Sequence, residues 1–201
     1  MTVRERTSQR EVKRRETRER IFGASVAEFK RAGLAEADVR EIVSSAGVAH
    51  GTFYFHFPTK EHVLVELERR EETRIVAELG KSLKGDHNLE AVLNETVAVV
   101  TDLERRLGSR LFKDFLALHF STSRPPAEEW AEHPIVVAVV DEIERARQRG
   151  ETNGRTESFH LGVFFLLGLY GLLITISDDK ALRTPILEQF VATSLHGMVA
   201  P

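Results

Sequence analysis

The sequence has no cysteine among its 201 residues. This absence excludes a disulfide framework, a thiolate nucleophile and a zinc site built on cysteine. It also fits a reducing compartment. The N-terminal segment, MTVRERTSQREVKRRETRER, has no apolar core of the kind that a signal peptide needs. We therefore expect a protein of the cytoplasm.

Long hydrophobic runs are also scarce, with one exception. Residues 161–177 contain no charged side chain. A membrane-spanning helix needs about 20 apolar residues, and this shorter run is interrupted by Gly162, Gly168, Gly171 and Thr175. The sequence therefore predicts a helix that is buried in a core or at a subunit interface, and no membrane association.

Strand signals are weak almost throughout, and the one β-like run is TFYFHF at residues 52–57. Elsewhere the apolar residues recur three and four positions apart, which is typical of amphipathic helices. Gly33 and Gly150 suit helix ends, whereas Pro134 and Pro185 suit helix starts. The pattern predicts an all-α protein without a sheet. Its nine helices are expected over residues of about 10–32, 39–45, 49–56, 60–84, 89–107, 110–120, 134–149, 156–177 and 185–198.

Charge is distributed unevenly along the chain. Residues 1–60 hold 12 Lys and Arg against 8 Asp and Glu, whereas residues 61–201 hold 16 against 23. A basic first third on an acidic remainder favours an anionic partner near the N-terminus. The alternating Arg and Glu residues of positions 10–20 fit two interpretations, a solvated helix and an arm that enters the minor groove of DNA.

Residues 39–60 contain two short predicted helices separated by Ala46-Gly47-Val48. Two helices joined by a three-residue turn with glycine are the helix-turn-helix pattern. Glycine suits such a sharp turn because it adopts positive φ angles at little cost.

The second of these helices has the surface that DNA reading requires. A helix enters the major groove when the side chains near its N-terminus are small or polar. The residues that meet this requirement are Ala49, His50, Gly51 and Thr52. Tyr54, His56 and Lys60 would then reach the flanking phosphates, which fix register rather than sequence.

Residues 37–64, ADVREIVSSAGVAHGTFYFHFPTKEHVL, resemble the helix-turn-helix signature of the tetracycline-repressor (TetR) family. The matching features are Val-Arg-x-Ile, the Ala-Gly-Val turn, Gly-Thr-Phe-Tyr-x-His-Phe and the Lys-Glu that opens the next helix. The resemblance implies a three-helix DNA-binding domain over residues 1–58 and a six-helix ligand-binding and dimerisation domain over residues 59–201. It also implies that the β-like run is helical and that the last two helices pair across a two-fold axis.

The same resemblance implies roles for individual residues. Arg40 and His50 would contact base edges, and Phe55 would touch thymine methyl groups. The residues that would bind the sugar-phosphate backbone are Thr52, Tyr54, His56 and Lys60. The chain departs from the usual family pattern at Val39, Ala49 and His50, so the preferred DNA sequence stays open.

A ligand pocket is expected among the later helices. The candidate lining residues are Phe112, Phe115, His119, Trp130 and Phe164, which lie on helices that enclose the pocket in proteins of this family. Such a pocket would be mostly apolar with few polar anchors, as small-molecule sites tend to be. Ordinary core packing is the alternative for each residue. Asp102 and Asp114 would suit a cationic ligand.

Other functions have weaker support in the sequence. His62 and Glu66, four residues apart, are too few to hold a metal ion, and no triad or phosphate-binding glycine loop is recognisable. We therefore predict no catalytic residue, no metal and no cofactor. The prediction is a homodimeric repressor that binds a palindromic double-stranded DNA operator and is released by a small, largely apolar effector. The alternatives are a ligand-binding helical protein with a vestigial DNA head and a small helical enzyme.

Overall fold

The computed structural model describes residues 3–125 and 133–199, with side chains from residue 9 onward. Most of these residues lie in α-helices. The helices are α1 (Val3–Ala32), α2 (Val39–Ala46), α3 (His50–His56), α4 (Lys60–Ser82), α5 (Leu89–Leu107), α6 (Ser109–Ala117), α7 (Pro134–Gln148), α8 (Ser158–Thr175) and α9 (Lys180–Met198). A 3₁₀ turn, Leu118–Phe120, follows α6. The described part of the chain contains no β-strand, and the predicted all-α class is confirmed.

The chain divides into two compact units, Met1–Leu67 and Glu68–Pro201. In the first unit, α1 supplies Ile21 and Phe29 to a small core that Ile42 of α2 and Phe53 of α3 complete; all four are fully buried. This core fixes which sides of α2 and α3 stay exposed.

Residues 52–56 of the run TFYFHF lie within α3 and Phe57 is its C-cap residue; Phe53 and Phe57 of this run are fully buried. Burial of these two aromatic rings therefore prevails over the strand propensity of the segment. Helix α1 begins at Val3, earlier than the predicted start at Arg10.

The second unit is built around α5, whose inward face carries the 3,4-spaced residues that the sequence indicates. The buried residues of α5 are Leu89, Val92, Leu93, Thr96, Val99, Val100, Leu103 and Leu107. Helix α8 packs closely on α7 because Gly162 has no side chain. A Cβ atom at Gly162 would lie 2.7 Å from Cγ2 of Val140.

Helix α9 corrects one prediction. It begins at Lys180, so Pro185 lies inside the helix rather than at its start. Asp179 provides the earlier start, because its side chain accepts a hydrogen bond from the Ala181 N–H at 2.9 Å and its carbonyl accepts one from Arg183. The one or two turns predicted at residues 127–132 lie outside the described residues.

Candidate functional site

The turn between α2 and α3 has the geometry that a helix-turn-helix needs. Gly47 ends α2 with φ +62° and ψ +44°, the left-handed conformation. Its N–H donates to the Ser44 carbonyl, and the Val48 N–H donates to the Val43 carbonyl at 3.0 Å. At the other end of α2, the Asp38 side chain accepts a hydrogen bond from the Arg40 N–H at 2.8 Å.

The structure brings most of the predicted DNA-contacting residues onto the outer surface of α2 and α3. The exposed ones are Arg40, Ala49, His50, Gly51, Tyr54 and Phe55, and the half-buried ones are Thr52 and His56. Tyr54 is 47% exposed and Phe55 is 68% exposed. Large aromatic side chains that stay in water contribute little to folding, and when grouped they mark a binding surface. We call this set the α3 face.

Two polar residues of the α3 face are placed to reach outward. The guanidinium of Arg40 pairs with Asp38 at 3.2 Å, but the Arg40 side chain is 82% exposed. An exposed ion pair of this kind contributes little energy, so Arg40 can leave Asp38 for a stronger acceptor. The ring of His50 lies 5.4 Å from that of Tyr54.

Gly51 is not required by the packing of the chain. A Cβ atom at this position would meet no atom of the described residues within 4 Å. The surface of α3 beside Gly51 is therefore open.

Lys60 is placed differently from the expected phosphate contact. Its ammonium group donates hydrogen bonds to the carbonyl oxygens of Leu34, Ala35 and Ala37 at 2.7, 2.9 and 3.1 Å. An ammonium group has three donors, so a phosphate would have to replace one of these bonds. Lys60 therefore ties the start of α4 to the loop that joins α1 and α2.

Two arginines of α1 support α3, a role different from the solvated helix and the minor-groove arm that positions 10–20 suggest. Arg18 donates to the His56 carbonyl at 2.6 Å, lies 4.0 Å above the Phe57 ring and pairs with Glu66. Arg14 lies 5.3 Å above the Phe55 ring. Their spacing of one helical turn places both on one side of α1, and this is the signal that was available in the sequence.

The environment of His56 lowers the pKa of its imidazole. Partial burial lowers the pKa of its imidazole, and the positive charges of Arg18 and Arg14 lower it further. These shifts favour the neutral form of the His56 ring.

The second unit contains a buried group of ionisable side chains, which we call the buried polar cluster. It consists of Glu68 and Glu72 on α4, His119 in the 3₁₀ turn, Arg124, and His133 at the start of α7. Glu68 lies 2.6 Å from Nε2 of His119 and accepts a hydrogen bond from Arg124 at 2.8 Å. Nδ1 of His133 lies 3.1 Å from Oε1 of Glu72.

Burial and ion pairing shift the pKa values of this cluster. The contact with Glu72 raises the pKa of His133 against the opposing effect of burial. Burial raises the pKa of Glu68, but His119 and Arg124 outweigh it, so the net shift is downward. Nearby, complete burial raises the pKa of the Tyr170 hydroxyl well above its usual value, with Glu72 and Glu68 adding to the effect.

The predicted pocket residues occupy different environments. Phe112 and Phe115 are buried on α6, and the His119 side chain belongs to the buried polar cluster. Phe164 is 64% exposed on α8, where its ring stacks on His160. Trp130 lies outside the described residues. The two carboxylates suggested for a cationic ligand are half-buried, and Asp102 pairs with Arg105 and Arg106.

Two comparisons with known proteins match the N-terminal unit. Residues 21–67 match the family model of bacterial regulatory proteins, tetR family. The HTH-type transcriptional repressor KstR of Mycobacterium tuberculosis is 40% identical over 68 residues, which are 34% of this chain and 31% of KstR. The chain therefore matches about a third of the length of that relative.

Two comparisons extend over nearly the whole chain. The HTH-type transcriptional regulator UidR of Escherichia coli (strain K12) is 23% identical over 185 residues, 91% of this chain and 93% of UidR. The structure of Thermus thermophilus FadR, a TetR family transcriptional repressor in complex with lauroyl-CoA, superposes with a TM-score of 0.75 at 21% identity. It covers 92% of this chain and 96% of that protein, and at this identity it shows the fold.

Proposed function

Because this chain is a transcriptional regulator of the TetR family, we propose that it binds a palindromic DNA operator as a homodimer and represses transcription from it. We further propose that a small, largely apolar effector releases it from the DNA. The name repressor is carried by KstR, which matches the N-terminal unit. Such a regulator works in the cytoplasm, where the DNA is.

The observation that carries the DNA-binding proposal is the exposure of the α3 face. Tyr54 and Phe55 remain in water although both are large and apolar, and Gly51 leaves open space beside them. In the proposal, the N-terminal turn of α3 enters the major groove with His50, and Arg40 approaches a base edge from the start of α2. Tyr54 and the half-buried Thr52 contact the sugar-phosphate backbone.

The homodimer proposal is supported by apolar surface on α8 and α9. Phe164 and Leu182 are more than half exposed, and Phe159 and Ile186 are also exposed. Helix α8 is long and apolar enough to cross a membrane by length and composition, and 39% of it is buried within the chain. A second copy that presents the same two helices would cover this surface by two-fold symmetry, which is how most soluble oligomers assemble.

The effector proposal is supported by the structural neighbours and by the apolar core of the second unit. Thermus thermophilus FadR was solved with lauroyl-CoA and Bacillus subtilis FadR with stearoyl-CoA, both of which carry a long apolar chain. Phe112 and Phe115 of α6 would form part of the apolar wall. An effector changes DNA affinity only as far as it binds the two conformations of the protein with different affinity.

The experiment that tests this proposal is fluorescence anisotropy with DNA from upstream of the chain's own gene and with scrambled DNA, at two salt concentrations. We expect tight, selective binding that weakens steeply with salt because phosphate contacts release counterions. Sedimentation of the same sample gives the oligomeric state, and we expect a dimer.

The substitution Tyr54→Ala tests the role of the α3 face in DNA binding. We expect it to weaken binding to every DNA sequence at least tenfold, because a backbone contact is lost whatever the bases are. Phe120→Ala is the control, since Phe120 is 53% exposed in the second unit and should leave binding unchanged. Should selection from random DNA recover no preferred sequence, the operator proposal is wrong and the chain is a ligand-binding protein with a vestigial DNA head.

A further inference from the structure

The buried polar cluster contains metal-ligating side chains that neither DNA binding nor dimerisation uses. Glu68 and Glu72 lie on α4 and His133 precedes α7, and one ligand atom from each of the three lies within 4.8 Å of the others. All three residues are buried. We propose that Glu68, Glu72 and His133 bind one divalent transition-metal ion, with His119 as a fourth ligand.

The local folding of the chain brings these three ligands together. Glu68 and Glu72 are four residues apart on α4, so both carboxylates project from the same side of the helix. His133 is the N-cap residue of α7, and Pro134 at the first helical position fixes the backbone there. Ligand-to-metal distances of about 2.0–2.2 Å place neighbouring ligand atoms about 3–4 Å apart, so small side-chain rotations suffice to enclose an ion.

An incompletely satisfied carboxylate provides independent support. Oε2 of Glu72 is buried and has no hydrogen-bond partner within the described residues, and the Glu72 side chain is only 3% exposed. Burying a carboxylate oxygen without a partner is costly. A cation bound at this oxygen would remove that cost, whereas a network made only of the described side chains leaves it in place.

The surrounding residues suit a transition metal with nitrogen and oxygen ligands. Nε2 of His119 lies 2.6 Å from Glu68, which brings a second imidazole to the site. Two carboxylates and two imidazoles suit zinc, manganese, iron, cobalt or nickel, and the absence of cysteine from the chain removes the thiolate that softer ions prefer.

Arg124 has a separate role in this arrangement. It donates a hydrogen bond to Oε2 of Glu68 at 2.8 Å, which orients the carboxylate that would bind the ion. Its single positive charge offsets one of the two carboxylates. The negative charge of the other carboxylate would be offset by the bound ion.

This site differs from the pair of possible ligands recognised in the sequence, His62 and Glu66, which are too few to hold a metal ion. His62 accepts or donates a hydrogen bond with Thr59, and Glu66 pairs with Arg18, so that pair of possible ligands is engaged elsewhere. The proposed ligands come from α4, the 3₁₀ turn and the start of α7, and Glu68 and His133 are 65 positions apart in the chain.

The test uses the full chain, stripped with chelator and then dialysed separately against micromolar Zn²⁺, Mn²⁺, Ni²⁺ and Co²⁺. We expect elemental analysis to find one ion per chain for at least one of these metals. We also expect Co²⁺ to give the visible absorption bands of a site with nitrogen and oxygen ligands. These measurements do not involve DNA, so their outcome is independent of the operator proposal.

Two variants and one control connect the ion to the proposed ligands. Glu72→Gln keeps the volume of the side chain and removes its charge, so we expect the affinity for the ion to fall at least tenfold; His133→Gln should do the same. The control is Glu142→Gln, because Glu142 also contacts a histidine, His87, at 2.9 Å in the same unit. Circular dichroism verifies that each variant is folded.

Two results would overturn the proposal. One is wild-type protein that binds none of the four ions stoichiometrically, in which case the cluster is a closed ion network. The other is an unchanged affinity in whichever of the Glu72 and His133 variants folds, since the ion would then lie elsewhere.

Discussion

The two units of the chain place their unusual side chains in opposite environments. The first exposes large aromatic residues, Tyr54 and Phe55, whereas the second buries the charged residues Glu68 and Glu72. Neither arrangement is the one that stability alone would select, because exposed aromatic rings forgo burial and buried charges lose hydration. A binding partner outside the chain would account for each feature, DNA for the first unit and a metal ion for the second.

The largest expected effect on this comparison comes from the buried charges. Glu68→Leu in metal-free buffer should lower the free energy of unfolding by about 3–5 kcal/mol, because it leaves Arg124 and the ring of His119 buried without their carboxylate. Urea denaturation at fixed protein concentration measures this. Glu90→Leu is the control, since Glu90 is exposed on α5. A Glu68→Leu variant as stable as the wild type would show that apolar packing can replace the cluster.

The two units can also be compared through one glycine in each, Gly162 in the second unit and Gly51 in the first. Gly162→Ala should lower the free energy of unfolding by about 1–3 kcal/mol, because the added methyl group overlaps with Val140 and forces α7 and α8 apart. Thermal denaturation measures the loss. Gly80→Ala on α4, where a Cβ atom meets no described atom within 4 Å, serves as the control and should be neutral or stabilising.

Gly51→Ala should have the opposite effect on stability. The added methyl group meets no described atom, and alanine favours a helix over glycine by about 1 kcal/mol. The variant should therefore unfold at a higher temperature than the wild type. Its affinity for the operator should nevertheless fall, because the methyl group occupies the space that DNA approaches. Gly80→Ala should stabilise the chain without this loss, and equal operator affinities in the two variants would contradict the assignment of the α3 face.

The smallest expected effect concerns a partly buried ion pair of the second unit, His87 with Glu142. The hydrogen bond with Glu142 raises the pKa of His87 above its usual value of 6.5, against the opposing effect of burial. A raised folded-state pKa stabilises the fold fully below the unfolded value, and that contribution is lost as the pH rises through the folded value. The pair should contribute at most about 1 kcal/mol.

Urea denaturation at pH 6 and at pH 8 tests this pair. The decrease in stability between the two values should be smaller in Glu142→Gln than in the wild type. Glu157→Gln should behave like the wild type, because Glu157 lies 3.9 Å from an exposed histidine, His160. An identical pH dependence in all three proteins would contradict the raised pKa of His87.

The helix-turn-helix of the first unit could be predicted in detail because its signals are local. Gly47 defines the turn within a few residues of both helices, and positions 49–52 follow it directly in the sequence. Lys60 is the exception, because its three carbonyl partners belong to a loop more than 20 positions earlier. Its expected contact with phosphate stays a prediction that has to compete with these bonds.

The second unit could be predicted only as a set of helices. The 3,4 spacing of α5 depends on one element and is visible in the sequence. The buried polar cluster depends on how three elements pack, and nothing near Glu68 or His133 in the sequence indicates the other. Pro185 was misplaced for a related reason, because the capping side chain of Asp179 decides where α9 begins.

The hydrogen bonds of Lys60 also restrict the movement of the start of α4. Three hydrogen bonds join the first residue of α4 to the loop between α1 and α2, and Arg18 joins α1 to the end of α3. The first turn of α4 therefore cannot move by itself without breaking several bonds. These bonds hold the start of α4 to the elements that carry the α3 face, so the first turn of α4 belongs to the framework that fixes the shape of this face.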